Sequence, residues 1–118
     1  MNMNIRDVGK TAVIDIAKDA INKIELAKIE EFLKTKNSKT RVAINLKNVN
    51  HIDYDFTCLL KKQAERAKLS LFGLNNNILL NLFVSQSDRL VDLYLDEQDF
   101  NAEKNAIVYR RLKLLKSA

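Results

Sequence analysis

The stretch Arg41–Lys62 reads RVAINLKNVNHIDYDFTCLLKK and decides the fold. It opens on Val42-Ala43-Ile44-Asn45-Leu46, a near-continuous apolar run of the kind a strand carries when both its faces are covered. A second short apolar pulse, Val49 to Ile52, follows across a polar bend. An acidic knuckle, Asp53-Tyr54-Asp55, comes next. Beyond it Phe56, Leu59, Leu60, Gln63, Ala64 and Ala67 recur in the i, i+3, i+4, i+7 rhythm of a helix packed by one face. A strand thus delivers an acidic turn onto a helix N-terminus, where backbone N–H groups lack partners and the helix dipole favours negative charge. Asp53 is placed to cap that helix and Asp55 to sit in its first turn.

Outward from this segment, strands and helices alternate. Asn4–Val8 and Thr11–Ile16 are β-rich runs joined at Gly9-Lys10, the spacing of a hairpin with a two-residue turn. Ile24–Lys36 reads as a helix with Ile29, Phe32 and Leu33 on its apolar face, followed by a polar loop, Thr35–Thr40. Downstream, the central helix is expected over Tyr54–Lys68, a strand over Leu69–Phe72, and a short helix over Asn75–Phe83. A last strand, Val91–Leu95, and a C-terminal helix, Gln98–Lys116, complete the chain. The pattern predicts an α/β domain: a mixed, mostly parallel sheet with about four helices, in one unit over residues 1–118. Residues 113–118 form a basic tail on the last helix.

Composition narrows the function classes. The 118 residues, 47% hydrophobic, suit one domain with one core. No apolar run approaches the roughly 20 residues of a membrane span, and Met1–Arg6 lacks a signal-type apolar stretch. The single cysteine, Cys58, precludes an internal disulfide and points to a reducing, cytoplasmic setting. With no proline and only Gly9 and Gly73, neither a P-loop nor a GxGxxG fingerprint can be built. The net charge of +5 is spread along the chain. Its one cluster, Tyr109–Lys116, is accounted for as cations complementing a helix C-terminus. Neither a nucleic-acid surface nor membrane insertion is expected, and no cofactor or metal is expected.

The Arg41–Lys62 segment resembles the central motif of the STAS family, the sulfate-transporter and anti-sigma-factor-antagonist domain. In that family a "vvlDls" strand leads through "v.fiDSSG" into a helix. The matching text here is Val42–Lys47, then Val49-Asn50-His51-Ile52-Asp53. Leu69–Leu74 is similar to the family's "l.l.Gl" strand and turn, and Asn76–Phe83 to its next short helix. The family's Asp falls on Asp53, its two serines on Tyr54 and Asp55, and its glycine on Phe56. Asn45 stands where the family usually ends its strand with Asp.

The resemblance implies a bacterial, non-enzymatic regulator that binds a protein partner. Its second serine, the residue partner kinases phosphorylate, is a carboxylate here. Asp55 at this switch position therefore reads as a built-in phosphate mimic or as a sign that the switch has been abandoned. Thr57 and Tyr54 are the hydroxyls left in the turn. The expected partner surface comprises Asn50, His51, Asp53, Tyr54, Asp55 and the exposed start of the helix, Thr57, Cys58 and Lys61. Tyr54 is the expected apolar anchor, while Phe56 is expected to pack inward. The implied partner is an anti-sigma kinase-like regulator; the alternative is the ATPase subunit of an ABC-type lipid transporter, with this chain as its STAS subunit. A homodimer is conceivable through surplus apolar residues on the last helix, Leu112, Leu114 and Leu115.

An enzymatic alternative rests on His51, Asp53 and Asp55. These alternate, so an extended segment would aim all three to one side, as a small metal-dependent hydrolase would need. The weakness of this reading is that Asp55 belongs to the helix, which breaks the alternation. Cys58 reads as a partly covered structural thiol.

Overall fold

The computed structural model describes residues 3–7, 10–36, 39–63 and 68–103. Five strands, β1 (Met3–Asp7), β2 (Thr11–Ile16), β3 (Arg41–Asn45), β4 (Lys68–Phe72) and β5 (Asp92–Tyr94), form one sheet in the order β1-β2-β3-β4-β5. β1 runs antiparallel to β2, from Met3↔Ile16 to Asp7↔Ala12, and the other pairs are parallel. Four helices accompany them: α1 (Lys23–Lys34), α2 (Tyr54–Gln63), α3 (Asn76–Val84) and α4 (Glu97–Ala102), with a 3₁₀ turn at Ser87–Arg89. The mixed, mostly parallel sheet with four helices expected from the alternation is the fold observed.

The strand order explains where the helices lie. β2 to β5 succeed one another in a single direction, and right-handed crossovers then put α1, α2 and α3 on one face. That face carries Ala12, Ile14, Ile16, Val42, Ile44, Leu69, Leu71 and Leu93, packed with Ile29, Leu33, Phe56, Leu60, Ile78 and Leu82 from the helices. Each fully buried aliphatic side chain of this layer contributes roughly 1.5–3 kcal/mol of transfer free energy. The intervening residues point to the other face, where Val13, Ala43, Phe72 and Tyr94 pack with Phe100 of α4. Arg41 completes that smaller layer. Its guanidinium lies 4.3 Å from the Phe100 ring centroid and donates to the Phe100 carbonyl at 2.7 Å. Because β3 is covered on both sides, Val42, Ala43 and Ile44 are all fully buried.

Caps set the helix starts. Asn22 and Glu25 form a reciprocal capping box at α1, with each side chain accepting from the other's backbone N–H, at 2.8 and 3.0 Å. Asn75 caps α3 through Ile78 N, and Asp96 caps α4 through Asp99 N.

Two boundaries depart from the sequence reading. The central helix was expected to run to Lys68, but Lys68 opens β4 opposite Arg41. The C-terminal helix was expected to continue from Gln98 to Lys116. Instead α4 closes at Ala102, because Glu103 adopts a left-handed conformation (φ 58°) and returns its N–H to the Phe100 carbonyl. The apolar and basic residues of that expected helix, including the 113–118 tail and the leucines of the suggested dimer face, lie outside the described residues, as do Ala64, Ala67 and the Gly9 turn. Among the described residues no helix is long and apolar enough to cross a membrane.

Candidate functional site

The site is built at the C-terminal end of β3. Asn45 closes the strand: its side-chain oxygen accepts from Lys47 N at 3.0 Å and its amide donates to Asp15 of β2 at 2.8 Å. Next to it, Gly73 (φ 73°) ends β4 so close to Lys47 that an added Cβ would stand 2.9 Å from the Lys47 nitrogen. The chain then crosses toward α2 with Val49 and Ile52 buried as two footings and Asn50 and His51 exposed between them.

Polar contacts fix this crossing from three sides. Asn50 N donates to the Asp19 carbonyl at 2.8 Å, which ties the crossing to the β2–α1 loop. The Asn75 amide donates to the carbonyls of Val49 (3.3 Å) and Asn50 (3.0 Å). The Asn81 amide reaches the Ile52 carbonyl at 3.3 Å. Backbone groups that a loop would otherwise present to water are thereby held in one arrangement by α3. Asp53 then caps α2, accepting from Phe56 N at 3.0 Å, in the role expected of it.

The first turn of α2 sorts its side chains sharply. Phe56 is fully buried. Tyr54 is 77% exposed. Asp55 is exposed and lines a groove of about 400 Å³ between α1 and α2, together with Lys23, Cys58 and Lys62. Cys58 is half-buried and Lys61 exposed. Thr57 departs from expectation: it is 4% exposed, and its hydroxyl donates to the Tyr54 carbonyl at 2.8 Å. Thr57 therefore belongs to the packed flank of the helix and not to the exposed surface expected of it. A hydrogen bond with the Cys58 thiol, one helical turn on, holds the Tyr54 phenol above its ordinary pKa.

The His51, Asp53 and Asp55 side chains do different things. Asp53 turns back to cap, Asp55 belongs to the helix and lines the α1–α2 groove, and His51 stands on the crossing. Among the described residues no group of three or more His, Cys, Asp or Glu is disposed to hold a metal ion.

On the opposite sheet face, Asp15 anchors a second network. Arg6 donates to Asp15 at 2.7 and 3.0 Å and to Glu97 of α4 at 2.8 and 2.7 Å. Burial pushes the Asp15 carboxyl up, but hydrogen bonds from Arg6 and Asn45 outweigh it and hold the group below the usual carboxylate range.

The residues that the sequence reading passed over are Asn75 and Asn81. Asn75 precedes an apolar run, which is a cap signal. No local signal reports that the same side chain also reaches the crossing.

No family model matches the chain, and no curated protein does. Solved structures do. A STAS domain protein from Planctomyces limnophilus superposes with a TM-score of 0.72 at 16% identity, over 86% of this chain and 97% of that one. An anti-sigma factor antagonist from Mycobacterium paratuberculosis gives 0.65 at 13% identity, covering 82% and 87%. The anti-sigma factor antagonist SpoIIAA in its unphosphorylated form gives 0.62 at 11% identity, covering 86% and 96%. The chain has the fold of a STAS-like domain.

Proposed function

We propose that this STAS-like domain is a non-enzymatic regulatory module that binds a protein partner through the β3–α2 crossing and the first turn of α2. The observation that carries the reading is Tyr54: a large amphipathic side chain, 77% exposed, on a turn whose backbone is tied down by Asn75, Asn81 and Asp53. An exposed aromatic on a pre-ordered support is what an interface anchor needs, because little conformational entropy remains to be lost on docking. In this reading Asn50, His51, Asp53, Asp55, Cys58 and Lys61 complete the partner surface. Fold likeness to anti-sigma factor antagonists favours an anti-sigma kinase-like regulator as the partner.

In this reading Asp55 occupies the switch position with a permanent negative charge at a helix N-terminus. It supplies part of the charge that a phosphoserine would bring. The test is affinity measurement with wild-type, Tyr54→Ala and Asp55→Ser proteins against a kinase-like regulator purified from the same organism. Tyr54→Ala is expected to weaken binding by tenfold or more, about the loss of a hot-spot aromatic. Tighter binding by Asp55→Ser supports the built-in mimic; equal binding means the switch is gone while the surface is kept. Unchanged affinity for Tyr54→Ala removes the crossing as the interface.

A further inference from the structure

The first step of the crossing is held by a relay of hydrogen bonds that starts on the α4 face of the sheet. Asp15 and Asn45 are register partners on the neighbouring parallel strands β2 and β3. The Asn45 amide nitrogen donates to the Asp15 carboxylate at 2.8 Å, and the Asn45 side-chain oxygen accepts from Lys47 N at 3.0 Å. Lys47 is the second residue of the turn that Val49 N closes on the Leu46 carbonyl at 3.0 Å. The next backbone donor, Asn50 N, goes to the Asp19 carbonyl at 2.8 Å. On the far side of Asp15, Arg6 of β1 donates to the carboxylate at 2.7 and 3.0 Å and to Glu97 of α4 at 2.8 and 2.7 Å. Asn45, Lys47 and Glu97 border one groove of about 520 Å³, so the start of α4 and the entry to the crossing adjoin.

We infer that Asp15 is a positioning residue for the β3–α2 crossing: its carboxylate fixes which way the Asn45 amide points, and that amide fixes Lys47 where the chain leaves β3. A primary amide has a donating end and an accepting end, and here it satisfies both neighbours in one orientation only. Asp15 is held below the usual carboxylate range, so at neutral pH it accepts and does not donate, and it meets the NH₂ end. Lys47 N donates and meets the oxygen. Turned over, the amide would set oxygen against carboxylate and N–H against N–H, leaving two part-buried contacts unpaired. The same chemistry selects asparagine over aspartate at position 45. A carboxylate there would stand at hydrogen-bond distance from that of Asp15, and two like charges so close oppose each other's ionisation. Arg6 braces Asp15 from the other side and carries the relay to α4. The consequence for binding rests on the crossing being the partner surface: Asp15, on the far side of β3 from α2, then governs how much of the protein holds the binding-competent arrangement.

Amide hydrogen exchange of the whole chain, followed by NMR, is the test, and it needs no partner. The amides of Lys47, Val49 and Asn50 report on the crossing, and those of Val42 to Ile44 report on the core of the sheet. Asp15→Ala removes the acceptor and Asn45→Asp sets carboxylate against carboxylate. Each is expected to speed exchange at the three crossing amides about tenfold relative to the core amides. The exchanged pair, Asp15→Asn with Asn45→Asp, again sets one donor against one acceptor and leaves an oxygen for Lys47 N. It is expected to bring the crossing amides back toward the wild-type rate, a rescue that general destabilisation would not give. Affinity for the kinase-like regulator is expected to fall about threefold or more in the two single variants and to recover in the exchanged pair. Crossing amides that accelerate no more than the core amides overturn the inference, and so does an exchanged pair as fast as the single variants. If the crossing amides respond but the single variants bind as tightly as wild type while Tyr54→Ala binds weakly, Asp15 does not position the partner surface. If Tyr54→Ala binds normally, the interface reading is what fails, and the exchange rates alone decide the role of Asp15.

Discussion

Phe56 and Thr57 are neighbours that the sequence treats differently and the fold treats alike. Phe56 stands on the apolar stripe of α2, and its full burial follows from that periodicity. Thr57 lies off the stripe and reads as surface, yet it is buried, because its hydroxyl is satisfied by the Tyr54 carbonyl one turn back. A threonine that spends its donor locally can be covered at little cost, and no periodicity announces it. Tyr54 and Asp55 remain exposed, as the acidic knuckle suggested. The weight of Phe56 can be measured directly. Phe56→Ala leaves a cavity between α2 and the sheet and is expected to cost about 3–5 kcal/mol in urea unfolding. A loss below about 1 kcal/mol would show that the helix start repacks without it.

At the scale of elements, the second sheet face is held by the Arg6–Asp15–Asn45–Glu97 network, which ties β1, β2, β3 and α4 together. The Asp15 carboxyl titrates below its ordinary value in the folded chain. Its contribution to stability is therefore present above the unfolded carboxylate pKa and is lost as pH falls through the folded one. Asp15→Asn should be less stable than wild type at neutral pH, and the gap should close as the acid limb is descended. Urea unfolding at a series of pH values checks this; a gap independent of pH would mean that Asp15 acts through packing alone. The sequence displayed the elements themselves. It did not display the break at Glu103, where a left-handed residue ends α4 inside a stretch with continuous helical patterning. Nor did it indicate that α4 would serve as the cover of a second layer.

For the whole molecule, burial from both sides makes β3 the structural axis. Hydrogen exchange should find the amides of Val42 to Ile44 opening only near the global unfolding free energy, and those of β1 at markedly lower energies. Equal protection of the two strands would contradict this ranking. The sequence by itself determined the order of strands and helices and the acidic turn on a helix start. These depend on periodicity and capping chemistry that act over a few residues. The tertiary structure alone decided how the turn is held and what lies opposite it. Asn75 reaches the Val49 and Asn50 carbonyls, Asn81 the Ile52 carbonyl and Arg6 the Glu97 carboxylate, the last across 91 positions. Such contacts exist only once the parallel sheet has brought distant segments to one edge. No local pattern can encode them, because each depends on the register of strands that lie far apart in the chain.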